Sequence, residues 1–108
     1  MSDIAISPEL LALAKTELDI TWEDPDTDAK LTSQLQRGIA YITSKTGMEV
    51  SVFDNDDELG CRAKELLFNY VLYDRAGSVD TFKINYRPAI NGLKDRWRVD
   101  NYEAATEG

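Results

Sequence analysis

The sequence contains no histidine and only one cysteine, Cys61. The first absence removes the commonest general base and the usual zinc ligand, and a lone thiol cannot build a thiolate cluster. Nucleophilic triads and ordinary zinc sites are therefore excluded. Cys61 cannot form an internal disulfide, which agrees with a reducing compartment; a small packed side chain on a helix is its expected role. The six glycines stand apart, at positions 38, 47, 60, 77, 92 and 108, so no glycine-rich run can cradle a phosphate. No apolar stretch approaches the roughly 18 residues of a membrane span, and Met1 to Ile6 carries Asp3 without a basic cluster. A soluble chain, neither secreted nor bound to a membrane, is expected. There is no internal repeat and no low-complexity tract.

What remains is an ordinary globular composition. The chain has 108 residues, 43% of them apolar and 30% charged, enough to bury one core without metal or disulfide support. A single domain over 1–108 is expected, with a core region 7–98 and a flexible polar tail 99–108. The formal charge is -8, a poor endowment for a DNA reader, because such proteins draw most of their affinity from lysine and arginine on phosphates. The charge is uneven. Residues 1–60 hold thirteen acids and four bases, whereas residues 61–108 hold seven acids and eight bases, so the two halves present different electrostatic surfaces.

The fold class predicted is all-α, a small bundle of about four helices with one short extended segment and a C-terminal tail. Ser7-Pro8-Glu9 carries a cap, a first-turn proline and a first-turn acid, and opens a helix to about Asp19. Trp22 to Asp28 reads as an acidic loop broken by Pro25, launching a helix from Asp28 to Thr46. In that helix Leu31, Leu35, Ile39 and Ile42 form one apolar face, and Gly47 supplies the stop. Gly38 lies inside it, where glycine typically costs about 1 kcal/mol against alanine, so either that cost is carried or, as the favoured expectation, another backbone comes close there. Met48 to Phe53 alternates in polarity and predicts an extended segment with Val50 and Val52 on the core. Acidic caps at Asp54 to Glu58 start a third helix from about Asp57 to Arg75, with Leu59, Ala63, Leu66, Leu67, Tyr70 and Val71 buried and Phe68 and Leu72 joining them. The last helical stretch, about Val79 to Val99, must kink or divide at Pro88.

Each charged constellation admits a simpler role than chemistry. The acids concentrate at helix starts, where capping accounts for them without catalysis. Asp54, Asp56, Glu58 and Glu65 occupy the first, third, fifth and twelfth positions of a calcium loop, but Leu59 stands where such a loop needs glycine. Asp24, Asp26 and Asp28 start the same pattern, and Leu35 replaces its closing glutamate. No metal and no cofactor are expected. Lys94, Arg96 and Arg98 beside Trp97 suit a helix C-terminus, and also suit a protein interface, where tryptophan and arginine are enriched.

One resemblance extends this reading. A short first helix is followed by an acidic loop, the helix Leu31-Thr32-Ser33-Gln34-Leu35-Gln36-Arg37-Gly38-Ile39-Ala40-Tyr41-Ile42 ending at Thr46-Gly47, and a long apolar helix ending near Tyr73-Asp74-Arg75. With Phe82-Lys83-Ile84-Asn85-Tyr86 and Ile90-Asn91-Gly92-Leu93-Lys94 at its close, that order resembles the head-tail connector, or head-completion adaptor, family of tailed bacteriophages over most of residues 7–98. The resemblance implies a non-enzymatic subunit of the virion, made in the host cytoplasm. Such subunits form a homo-oligomeric ring below the portal protein, meet a tail-side stopper or completion protein, and let DNA pass without reading its sequence. It also implies that the C-terminal segment engages the portal and neighbouring subunits, which makes Lys94, Arg96, Trp97, Arg98 and Tyr102 the candidate interface. Asp24, Asp26, Asp28, Asp54, Asp56 and Asp57 form the candidate acidic surface, suited to a channel that repels phosphate. Pro88 departs from the uninterrupted last helix of that pattern. The alternative is a small acidic inhibitor or DNA mimic that sets Glu23, Asp24, Asp26, Asp28, Asp54, Asp56, Asp57 and Glu58 in a host protein's nucleic-acid groove.

Overall fold

A computed structural model of the chain describes residues 4–21 and 24–107, with side chains as far as residue 100. Helix α1 runs Pro8–Glu17, capped by Ser7, whose Oγ accepts the Leu10 amide at 3.1 Å. It ends because Asp19 takes a left-handed φ of 57°, a conformation in which Asp is among the more tolerated residues. Helix α2 runs Pro25–Thr46 with Asp24 as its N-cap and Gly47, at φ 78°, as its left-handed terminator. Pro25 therefore starts this helix where the sequence pattern made it part of a loop: at the first helical position its missing amide would be unbonded in any case, and its fixed φ is already helical.

The segment expected to be extended is a 3-10 turn, Val50–Asp54. This change of conformation alters which side chains face inward. Alternation would bury Val50 with Val52, but the tighter turn buries Val52 and Phe53 and leaves Val50 38% exposed. No strand occurs among the described residues. Helix α3 runs Glu58–Arg75 from an Asp57 cap, whose carboxylate accepts the Gly60 amide at 2.8 Å. A Cβ on Gly60 would clash with the Asn55 carbonyl oxygen, so glycine is needed where the chain folds back against α3.

Pro88 divides the last stretch in two. Helix α4 is Val79–Asn85 and helix α5 is Arg87–Glu107, with Tyr86 between them. The segment expected to be a tail is helical backbone as far as Glu107, in keeping with the helix-favouring Ala104 and Ala105.

The all-α bundle has its core between α2, α3 and α5. Leu31, Leu35, Ile39 and Ile42 of α2 are at most 1% exposed and meet Ala63, Leu67 and Val71 of α3 and Ile90 and Leu93 of α5. Helices α2 and α3 are antiparallel. Arg37 pairs with Asp74 at 2.7 Å and Gln34 meets Arg75, while Gly38 lies against Leu67 and Tyr70. At the far end of α3, Phe82 of α4 is fully buried among four tyrosines, with ring centroids 4.7 Å from Tyr86, 5.3 Å from Tyr70, 5.8 Å from Tyr73 and 6.4 Å from Tyr41. Such edge-to-face and offset pairs add to the stabilisation that burial supplies. Helix α1 packs on α2 and on the 3-10 turn but stands off α3.

Candidate functional site

The acidic residues divide into two groups, each at the start of a helix. In the first, Asp24 caps α2 and also accepts the Thr27 hydroxyl at 3.0 Å, and Asp26 and Asp28 sit in the first turn, where carboxylates oppose the helix dipole. Asp28 joins α2 to α1 through Lys15, 2.8 Å away. In the second group, Asp54 accepts the Ser7 hydroxyl at 2.7 Å and so ties the cap of α1 to the 3-10 turn, Asp56 pairs with Lys64 at 3.2 Å, and Asp57 caps α3. Because α2 and α3 are antiparallel, their starts lie at opposite ends of the bundle. The six candidate acids therefore make two separate surfaces.

No cluster of three or more potential metal ligands occurs among the described residues. The calcium-like spacing is interrupted by the fold. Residues 58 onward are already helical, Asp54 is bonded to Ser7, and Glu58 faces Arg62 one turn along at 3.8 Å.

The C-terminal candidates distribute around α5. Trp97 is half-buried against the core, continuing the inward face of Ile90 and Leu93. Lys94 and Arg98, one turn apart, share one flank, with Lys94 half-buried and Arg98 exposed. Arg96 lies on the other flank, its guanidinium 3.3 Å from Asp100. Val99, 52% exposed, faces outward between them. The side chain of Tyr102 lies outside the described residues. Trp97 is the last described side chain packed on the core, so the ten residues of α5 after it carry the helix on by about 15 Å.

Sequence reasoning missed a different surface. Between α1 and α3 lies an open recess of about 550 Å³, floored by Leu13, Leu18, Phe68 and Leu72 and edged by Glu17 and Glu65. Leu72 was expected in the core, but it is 51% exposed, because α1 turns toward α2 and leaves that side of α3 uncovered. Leu13 is 38% exposed on the facing wall. The visible signal was an α3 apolar face too broad for one partner helix, spanning Leu66, Leu67, Phe68, Tyr70, Val71 and Leu72.

Two tyrosines have displaced titrations. Burial, reinforced by Asp74 and opposed by Arg37, raises the Tyr70 phenol above its ordinary value of 10.0. Burial, followed by a hydrogen bond with Tyr73, raises Tyr86. Both belong to the aromatic cluster around Phe82.

Comparisons with protein families, with curated proteins and with solved structures found no match to this chain. No described helix is long and apolar enough to cross a membrane.

Proposed function

We propose that this chain is a non-catalytic connector subunit of a tailed phage, forming a ring below the portal that extends the DNA channel toward the tail. The observation that carries the reading is the course of α5. The helix is anchored through Ile90, Leu93 and Trp97, the last of the described side chains to pack on the core, and it carries Lys94 and Arg98 on one flank and Val99 outward. A helix anchored on one face, with cations and an exposed aliphatic side chain on its other faces, suits a partner that accepts such groups, for example a portal surface with acidic loops. The order of helices supports the same reading through its resemblance to connector subunits, and the uneven charge suits subunits that meet head to tail, where one surface must complement a different one.

The DNA-mimic alternative draws less support. A mimic displays free carboxylates in rows, whereas Asp24 and Asp57 cap helices, Asp28 and Asp56 sit in ion pairs and Asp54 accepts the Ser7 hydroxyl, at opposite ends of the bundle.

The test is to mix the purified chain with portal rings of its own virion and image the particles. Added density beneath the portal, lost when Lys94 and Arg98 are both replaced by glutamate in a variant of unchanged helix content, supports the reading. Persistent failure of the intact chain to bind opposes it.

A further inference from the structure

The recess between α1 and α3 is an unfilled helix-packing slot. Its floor is apolar, and a second recess lined by Glu9, Leu10, Phe53 and Asp54 continues it along α1, sharing Leu13, Asp56 and Lys64 with the first. Along the combined groove stand five carboxylates, those of Glu9, Glu17, Asp54, Asp56 and Glu65. The one ammonium, Lys64, is already paired with Asp56 and is only 12% exposed. Asp54 accepts the Ser7 hydroxyl and Asp56 holds Lys64, so the carboxylates of Glu9, Glu17 and Glu65 set the charge to be answered, and the groove calls for an occupant that offers an aliphatic side chain with cations beside it.

The same chain carries such a segment. Ile84 on α4 is, among the described residues, the most exposed of the large apolar side chains, at 66%. It points away from Phe82, the residue that anchors α4 in the core. Lys83 and Arg87 flank it, both exposed and without an ion pair among the described residues; Lys83 lies 5.0 Å from the centre of the Tyr41 ring. The only carboxylate one turn before Ile84 is Asp80. This outer face of α4 is thus an aliphatic knob with a net positive surround, and the groove is an aliphatic slot with a net negative one.

The two surfaces cannot meet within one molecule. The groove opens on the side of α3 turned away from α2, while Ile84 is directed outward from the aromatic cluster that holds α4 against Tyr70 and Tyr73. We infer that the outer face of α4 in one copy, centred on Ile84, seats in the α1–α3 groove of a second copy, between Leu13 and Leu72. The contact is head-to-tail, and it leaves a free groove and a free knob at the two ends of any chain of copies until a ring closes. This inference rests on the ring-forming reading above, and it names the two faces that would build the ring.

Cys61, the sole cysteine, is exposed and lines the groove, which makes disulfide trapping direct. The wild-type chain and a C61S/I84C double variant are oxidised mildly, each alone and then mixed, with and without portal rings. The expected result is a bond between Cys61 of one chain and the thiol at position 84 of the other, abundant in the mixture and at least tenfold above the level when V99C replaces I84C. Leu72→Glu and Ile84→Glu should each weaken self-association at least tenfold and leave helix content unchanged, because both side chains are more than half exposed. Added salt should weaken it further. The proposal is overturned if the mixture yields only bonds between like positions, or none, while the variants remain folded. Portal binding is scored separately: binding without the trapped bond overturns this contact alone, whereas the trapped bond without portal binding overturns the connector reading and supports the contact.

Discussion

Gly38 of α2 lies so close to Tyr70 of α3 that a Cβ added to it would fall 2.9 Å from the tyrosine ring and 2.5 Å from the Leu67 methyl. The absence of a side chain at one position sets the separation of the two central helices. In an exposed helix Gly→Ala would stabilise by about 1 kcal/mol. Here overpacking outweighs that gain, and Gly38→Ala should lower stability by roughly 1–3 kcal/mol. Urea unfolding followed by circular dichroism will measure it, and a variant as stable as wild type would show that the helices separate freely.

Phe82 gives the aromatic cluster its centre, touching four tyrosine rings with no exposure of its own. Phe82→Ala should destabilise by about 3–5 kcal/mol, through lost transfer energy and the cavity left behind. The loss should be far larger than for Ile84→Ala two residues on, whose side chain is mostly in water. Equal effects of the two variants in thermal unfolding would contradict the placement of α4.

The raised titrations of Tyr70 and Tyr86 set an alkaline limit. Both phenols hold their protons more tightly in the folded chain than in the unfolded one. The stability they contribute is complete below the ordinary tyrosine value of about 10 and is lost as pH rises through the folded-state values. Unfolding free energy should therefore fall above about pH 10, and Tyr70→Phe should flatten that decline. An unchanged slope in the variant, with denaturant midpoints measured from pH 8 to 11, would remove Tyr70 from the account.

The cap of α3 is a single carboxylate. Asp57→Ala, which frees the Gly60 amide, should cost about 0.5–2 kcal/mol. Asp26→Ala should cost less, because Asp26 is exposed in the first turn of α2 while the cap of that helix is Asp24. A chemical denaturation series ranks the two, and the reverse order would contradict the cap assignments.

How far the sequence revealed this molecule depended on the kind of signal. The faces of α2 and α3 were legible because Leu31, Leu35, Ile39 and Ile42, and Leu59, Ala63, Leu66 and Leu67, repeat at helical spacing, and the caps Ser7 and Asp57 with the terminator Gly47 bounded their elements. The 3-10 turn was not legible, since five residues of alternating polarity fit an extended segment equally well until Phe53 is known to be buried. Pro25 was ambiguous between breaking and starting a helix, and the neighbouring Asp24 cap decides it. The breadth of the α3 apolar face signalled surplus apolar surface but could not locate the groove. Whether Leu72 is core or surface depends on where α1 lies, and that is set by contacts distant in sequence, Lys15 with Asp28 and Ser7 with Asp54.

The functional account stands on contact rather than chemistry, and one measurement addresses it most directly: particle mass with electron microscopy of the chain alone, at rising concentration, and again with portal rings. A single class of closed ring, or a ring formed on the portal with α5 at the junction, is the predicted result. A chain that stays monomeric at every concentration and adds no density to the portal would contradict it.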